Sequence, residues 1–157
     1  MNEVGALLSV PPTTPEVTFD ERIGFSFLNA THSANELRIE LAWTTALTVD
    51  RQLTAFVHIY DPQGKLVAQQ DGYPLLGLYP PWMSQKGEAV HDVRRIPLPD
   101  RLPASHYTVG VGLYDAETGQ RAAALSPAGK RFENDVYLFY EFDVPNLRAS
   151  RPISNTR

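Results

Sequence analysis

The sequence contains no cysteine among its 157 residues. Disulfide bonds, thiolate metal sites and cysteine nucleophiles are therefore excluded. Basic residues are also few, since 14 lysines and arginines stand against 18 aspartates and glutamates, and the formal net charge is -4. Without a positive field to attract phosphate groups, nucleic acid is not an expected partner.

Long apolar runs and helical patterns are missing as well. No segment approaches the roughly 20 apolar residues that a membrane-spanning helix needs, so no membrane span is expected in this chain. No stretch repeats apolar residues at the three- and four-residue spacing of an amphipathic helix. The 13 prolines and 10 glycines instead favour many turns between short strands.

Strict alternation of apolar side chains marks four strands, at residues 37–43, 53–59, 107–113 and 136–144. Apolar residues at every second position indicate a strand with one buried face. Weaker candidates lie at 23–28, 65–69, 90–96 and 122–125. This series without helices predicts an all-β chain, an antiparallel two-sheet β-sandwich that is immunoglobulin-like or carbohydrate-binding-module-like.

Turn residues and one tyrosine support this fold. Residues 61–64 and 115–119 combine aspartate with a following glycine, so each is expected to close a hairpin. Tyr107 enters its strand after Leu102-Pro103, as in the tyrosine corner, where the phenol bonds the backbone upstream. Gly110 and Gly112 lie within a strand and predict close packing on one face.

Composition divides the chain into three parts. Residues 1–16 form a proline-rich lead-in, residues 17–144 the β-sandwich domain, and residues 145–157 a flexible tail without periodicity.

No residue pattern indicates catalysis or a bound cofactor. The histidines have no zinc-ligand spacing, and neither a serine nucleophile elbow nor a glycine-rich phosphate loop is present. We therefore predict no enzyme activity, no metal ligand and no cofactor. The four histidines are His32, His58, His91 and His106.

The segment 69–82 is the most unusual part of the sequence because it combines aromatic rings with amides and a carboxylate. Rings stack on the C–H faces of sugars, and polar groups bind the hydroxyls. The alternative is a structured loop that packs its own rings over one end of the sandwich. The predicted ligand-binding residues are Gln70, Asp71, Tyr73, Tyr79, Trp82 and Asp92.

A second function remains open. Phe56, His58 and Tyr60 alternate with the core positions of their strand, as do Tyr137 and Phe139. Both sets are therefore expected on the face opposite the core set, where they are either exposed or covered by a second layer or by loops. Such a face or an edge strand would suit docking of another protein domain or of a second copy. The alternative prediction is a structural or protein–protein interaction domain without a small ligand.

The chain contains an ordered series of short motifs: Phe56-Val57-His58-Ile59-Tyr60-Asp61, Ala68-Gln69-Gln70-Asp71, Gly77-Leu78-Tyr79-Pro80, Val111-Gly112-Leu113-Tyr114-Asp115 and Thr118-Gly119-Gln120-Arg121. This series resembles the soluble C-terminal β-domain of large bacterial multi-spanning membrane proteins, the mannosyltransferase-like glycosyltransferases. The resemblance runs from about Val17 to Val144. It implies an extracytoplasmic accessory domain, periplasmic or at the cell surface, whose catalytic partner lies in a membrane portion.

Overall fold

The computed structural model describes residues 7–8, 14–45, 53–72 and 89–145. Within these residues the chain forms ten strands and one short 3₁₀ helix, Glu133–Asp135, and no α-helix. The strands are β1 (Leu7–Leu8), β2 (Val17–Phe19), β3 (Ile23–His32), β4 (Glu36–Thr45), β5 (Leu53–Tyr60), β6 (Leu66–Gly72), β7 (Ala89–Pro97), β8 (Ser105–Asp115), β9 (Ala124–Leu125) and β10 (Tyr137–Val144).

The strands form two sheets, in which every described pairing is antiparallel. One sheet has six strands in the order β1-β7-β4-β3-β2-β9, and the other has four in the order β10-β8-β5-β6. The predicted antiparallel two-sheet β-sandwich is therefore confirmed. The proposed tail lies outside the described residues except at residue 145, as does most of the proposed lead-in.

The core lies between the sheets and consists of the side chains that alternate inwards. These side chains are at most 1% exposed on the central strands. Burying a large aliphatic side chain stabilises the fold by roughly 1.5–3 kcal/mol, so these strands dominate the stability. The set includes Leu37, Ile39, Leu41, Leu53, Val57, Ile59, Val109, Val111 and Leu113.

Both predicted hairpin turns are confirmed. Asp61 Oδ1 accepts hydrogen bonds from the backbone N–H groups of Gln63 and Lys65, each 2.9 Å long. Asp115 Oδ1 likewise accepts from the N–H groups of Glu117 at 2.8 Å and Thr118 at 3.3 Å. In both turns an aspartate satisfies backbone donors that the tight bend leaves without strand partners.

The predicted tyrosine corner is also confirmed. The Tyr107 hydroxyl donates a hydrogen bond to the carbonyl oxygen of Pro103, 2.6 Å away. The Tyr107 ring is 1% exposed and stacks on Phe142 with the ring centroids 5.6 Å apart. The corner therefore fixes the segment that enters β8.

Candidate functional site

The structure describes three of the six predicted ligand-binding residues. Gln70 and Asp71 lie on β6 and Asp92 lies on β7. The other three, Tyr73, Tyr79 and Trp82, lie outside the described residues, and their role stays a prediction. Among the described three, only Asp71 is exposed on the surface of the domain.

Asp92 is completely buried and has partners inside the sandwich. Its Oδ2 accepts hydrogen bonds from Trp43 Nε1 at 3.0 Å and from Arg94 Nε at 2.9 Å. Arg94 is 1% exposed, and its Nη2 donates to the carbonyl oxygen of Gly72, 3.0 Å away. Asp92 therefore joins a buried ion pair that connects β4 and β7 of one sheet to the end of β6 in the other.

Gln70 also connects the two sheets. It pairs with Val57, a core position of β5, so its side chain points towards the six-stranded sheet. Its Nε2 donates to the carbonyl oxygen of Arg95 on β7 at 2.9 Å. Gln70 and Asp71 are neighbours in sequence but project from opposite faces of their strand.

A cluster of rings and charges covers the outer face of the four-stranded sheet. Phe56, His58 and Tyr60 alternate outwards on β5, as the sequence predicts for side chains opposite the core set. The ring centroids of Phe56 and His58 lie 4.3 Å apart, and those of His58 and Tyr60 lie 5.8 Å apart. We call Phe56, His58, Tyr60, Asp71, Tyr114 and Arg121 the outer-face cluster.

The glycines of β8 create the space for these rings. Gly112 lies directly opposite Phe56, and Gly110 lies opposite His58. A Cβ atom on Gly112 would collide with the Phe56 ring, and one on Gly110 would lie 2.6 Å from Val136 Cγ1 and 3.4 Å from Tyr60 Cε2. The predicted packing role of both glycines is confirmed.

Arg121 lies over the Phe56 ring, with its Cζ 4.7 Å from the ring centroid. Its Nη1 donates to the carbonyl oxygen of Asn134 at 3.0 Å. Asn134 and Asp135 both adopt left-handed backbone angles, with φ of 57° and 56°. Such conformations cost free energy and mark segments whose shape the surroundings enforce. This bend helps to hold a cation in place on an aromatic face.

Asp71 completes the cluster from the neighbouring strand. It pairs with Phe56, and its Oδ2 accepts a hydrogen bond from the Tyr114 hydroxyl, 3.0 Å away. Burial raises the pKa of Tyr114, and the Asp71 carboxylate raises it further. The phenol therefore stays protonated at neutral pH and remains a donor to Asp71.

His58 is half-buried at the centre of the cluster. Its Nδ1 lies 3.0 Å from the Tyr60 hydroxyl. Burial lowers the pKa of His58, while the Asp71 carboxylate acts to raise it and the Arg121 guanidinium to lower it. The imidazole is therefore uncharged at neutral pH. Burial also raises the pKa of Tyr60, which keeps the second phenol protonated.

The cluster offers aromatic surface, one carboxylate acceptor and one guanidinium donor. In the part of the chain that the structure describes, no group of three histidine, aspartate or glutamate side chains could hold a metal ion. The same residues contain no helix that is long and apolar enough to cross a bilayer. The arrangement suits recognition of a ligand that has both apolar faces and hydroxyl groups.

Sequence reasoning identified part of this cluster. It placed Phe56, His58 and Tyr60 on the face opposite the core and selected Asp71 as a ligand-binding residue. It did not select Tyr114 or Arg121. Two signals were available. Alternation along β8 places Tyr114 on the same outer face as Gly110 and Gly112, and Arg121 follows the predicted turn at 115–119.

The same prediction of an outward face is wrong for Tyr137 and Phe139. A register shift in β10 between Leu138 and Tyr140 reverses the alternation before it, so both rings pack against the core, with the Phe139 centroid 5.2 Å from that of Phe25.

No protein-family model matches this chain, and no curated protein is similar to it. Among solved structures, it is similar to β-glucosidase 3B from Thermotoga neapolitana, with a TM-score of 0.47 and 21% identity, over 79% of this chain and 16% of that chain. It is also similar to a Bacteroides uniformis β-glucuronidase, with a TM-score of 0.42 and 15% identity, over 72% and 14% of the two chains. The chain thus spans a small part of each protein.

Removing one member of the buried ion pair should strongly destabilise the domain. We expect Asp92→Ala to lower the free energy of unfolding by about 3 to 5 kcal/mol, because it leaves the Arg94 charge buried without its carboxylate. Urea denaturation would measure this loss. Asp100→Ala, at an exposed position in the turn after β7, is the matched control and should change stability by no more than about 0.5 kcal/mol. If both substitutions lowered the free energy of unfolding equally, the assignment of Asp92 to a buried ion pair would be contradicted.

Proposed function

We propose that this chain is a non-catalytic carbohydrate-binding domain whose binding surface is the outer-face cluster. The observation that carries the proposal is the row of rings beside an anchored carboxylate and an anchored guanidinium on one exposed sheet face. Sugars present C–H faces that stack on rings and hydroxyls that donate to Asp71 or accept from Arg121.

The polar groups of the cluster are held in place before a ligand binds. Tyr114 orients the Asp71 carboxylate, and the Phe56 ring and the Asn134 carbonyl orient Arg121. Immobilising a rotamer-rich side chain costs about 0.5–1.5 kcal/mol on binding, and this arrangement avoids much of that cost. Weak contacts with sugar hydroxyls can then contribute net affinity.

The composition of the cluster favours binding over hydrolysis. Glycosidases use two carboxyl groups placed roughly 5 to 10 Å apart across the scissile bond. The outer-face cluster contains a single carboxylate, Asp71, and the Tyr114 hydroxyl already occupies one of its oxygens. The Nδ1 atom of its histidine lies 3.0 Å from the Tyr60 hydroxyl.

We expect Tyr60→Ala and Asp71→Asn each to weaken glycan binding about tenfold, as expected for about 1.4 kcal/mol of lost contact. A glycan panel would identify the ligand, and calorimetric titration would measure the affinity. Thr31→Ala, an exposed position on the other sheet, is the control and should bind like the parent chain.

Trp82→Ala separates the outer face from the predicted loop site. Unchanged binding in Tyr60→Ala together with a loss in Trp82→Ala would move the site from the outer-face cluster to residues 73–82. A panel on which no glycan binds at all would contradict the proposal.

We further propose that the domain is an extracytoplasmic accessory unit of a membrane glycosyltransferase-like protein. The support is the resemblance of residues 17–144 to the C-terminal domains of such proteins. Fractionation of the source cells with an antibody against this domain would test the location. We expect the signal in the membrane fraction with the epitope accessible from outside the cytoplasm, and a purely cytoplasmic signal would refute it.

A second candidate function is protein docking at the flank of the sandwich beside β10. Leu28 and Leu138 are 46% and 56% exposed. The Leu138 side chain lies on the outer face of β10 beside Gly110. β10 ends its sheet in the described structure, and its edge can accept another strand.

The charge beside this edge favours a basic partner strand over a second copy. Glu141 and Asp143 both contact His106 on the outer side of β10, so two copies would bring like charges together. We expect a basic partner to be captured from source extract by the parent chain and released by Leu138→Glu. If the partner were still captured by Leu138→Glu, β10 would not be the docking edge.

A further inference from the structure

The two charged members of the outer-face cluster have opposite signs. Asp71 pairs with Phe56 across β5 and β6, and Arg121 Cζ lies 4.7 Å from the Phe56 ring centroid, so both charges lie beside the same ring. Tyr60 and Tyr114, the remaining titratable groups of the cluster, keep their protons at neutral pH. With His58 uncharged, the net charge of the cluster at neutral pH is zero.

We infer that the outer-face cluster selects uncharged saccharides and discriminates against both uronic acids and amino sugars. This inference rests on the carbohydrate-binding function proposed above. It concerns the class of sugar, which the presence of aromatic rings alone does not determine.

The physical reason is that both charges are fixed. Asp71 is held by the Tyr114 hydroxyl at 3.0 Å, and Arg121 is held by the Asn134 carbonyl and the Phe56 ring. A sugar carboxylate at Arg121 is attracted by the guanidinium, but Asp71 repels it and cancels part of that gain. An ammonium group at Asp71 likewise loses part of its attraction to the repulsion from Arg121. Either ion also loses hydration at a half-buried surface.

An uncharged sugar avoids both penalties. One hydroxyl can donate to Asp71 while a second accepts from Arg121, so that each fixed charge gains a charge-assisted hydrogen bond. The half-buried rings of His58 and Tyr60 then remain available to stack on the C–H face of the sugar. The pattern of one acceptor and one donor therefore suits neighbouring hydroxyls on a neutral ring.

The test compares the methyl glycosides of glucose, galactose and mannose with the corresponding uronic acids and amino sugars. Binding is followed by NMR titration of the intact chain at pH 7 and low salt. At least one neutral glycoside should bind several-fold more tightly than both of its charged counterparts. Added salt at 1 M should reduce that difference, because it screens charges on the scale of about 3 Å.

Two substitutions that each remove one charge should change the preference in opposite directions. Asp71→Asn leaves a net positive cluster and should improve the uronic acid about tenfold relative to its neutral parent. Arg121→Gln leaves a net negative cluster and should favour the amino sugar by a similar factor. Arg121→Lys preserves the charge and should keep the original order, and a thermal melt verifies that each variant is folded.

The outcomes separate this inference from the proposed function. A charged sugar that binds as tightly as its neutral parent, or substitutions that leave the preference unchanged, would overturn the inference while leaving carbohydrate binding intact. Failure of every sugar, neutral and charged, to bind the parent chain would overturn both.

Discussion

The buried ion pair between Asp92 and Arg94 determines how the two sheets meet. Asp92 accepts hydrogen bonds from the Trp43 indole N–H on β4 and from Arg94. Arg94 also donates a hydrogen bond to the carbonyl oxygen of Gly72 at the end of β6. Desolvating two charges costs several kcal/mol per ion, so the pair adds little net stability. Its main contribution is to fix one packing arrangement of the two sheets. Because Gly72 is fixed opposite Ala55, Asp71 is fixed opposite Phe56 on the outer face. The exposed cluster thus depends on a contact made inside the sandwich.

The outer-face cluster results from ordinary strand geometry combined with two glycines. Alternation on β5 directs one set of side chains into the core and the other to the surface. A surface row of rings would normally compete for space with the next strand, but Gly110 and Gly112 leave that space open. Arg121 then covers Phe56, which is 1% exposed although it faces away from the core. The half-buried neighbours His58 and Tyr60 form the accessible part of the surface.

The sequence allowed most of the strands, both aspartate turns and the tyrosine corner to be predicted, because each depends on residues close together in the chain. The short strands β1 and β2 were not predicted, and the register shift in β10 made the predicted faces of Leu138 and Phe139 wrong. The positions of the acids were harder to predict. On β7, Val90, Asp92, Arg94 and Ile96 face inwards while Val93 faces outwards, so hydrophobic alternation does not identify the inner face. Arg121 depends on the left-handed bend at Asn134, which follows no simple turn signal. The inner face of β7 and the position of Arg121 both depend on contacts with residues far away in the sequence. The local residue pattern does not show these contacts.

Mapping the backbone amide shifts of the ¹⁵N-labelled chain during titration with its panel-identified glycan tests the central claim most directly. The account predicts saturable shifts on β5, β6 and β8 around Phe56, His58, Asp71 and Tyr114, and at Arg121. Shifts confined to residues 73–88, or to the six-stranded sheet, would show that the sugar binds elsewhere and would contradict the account.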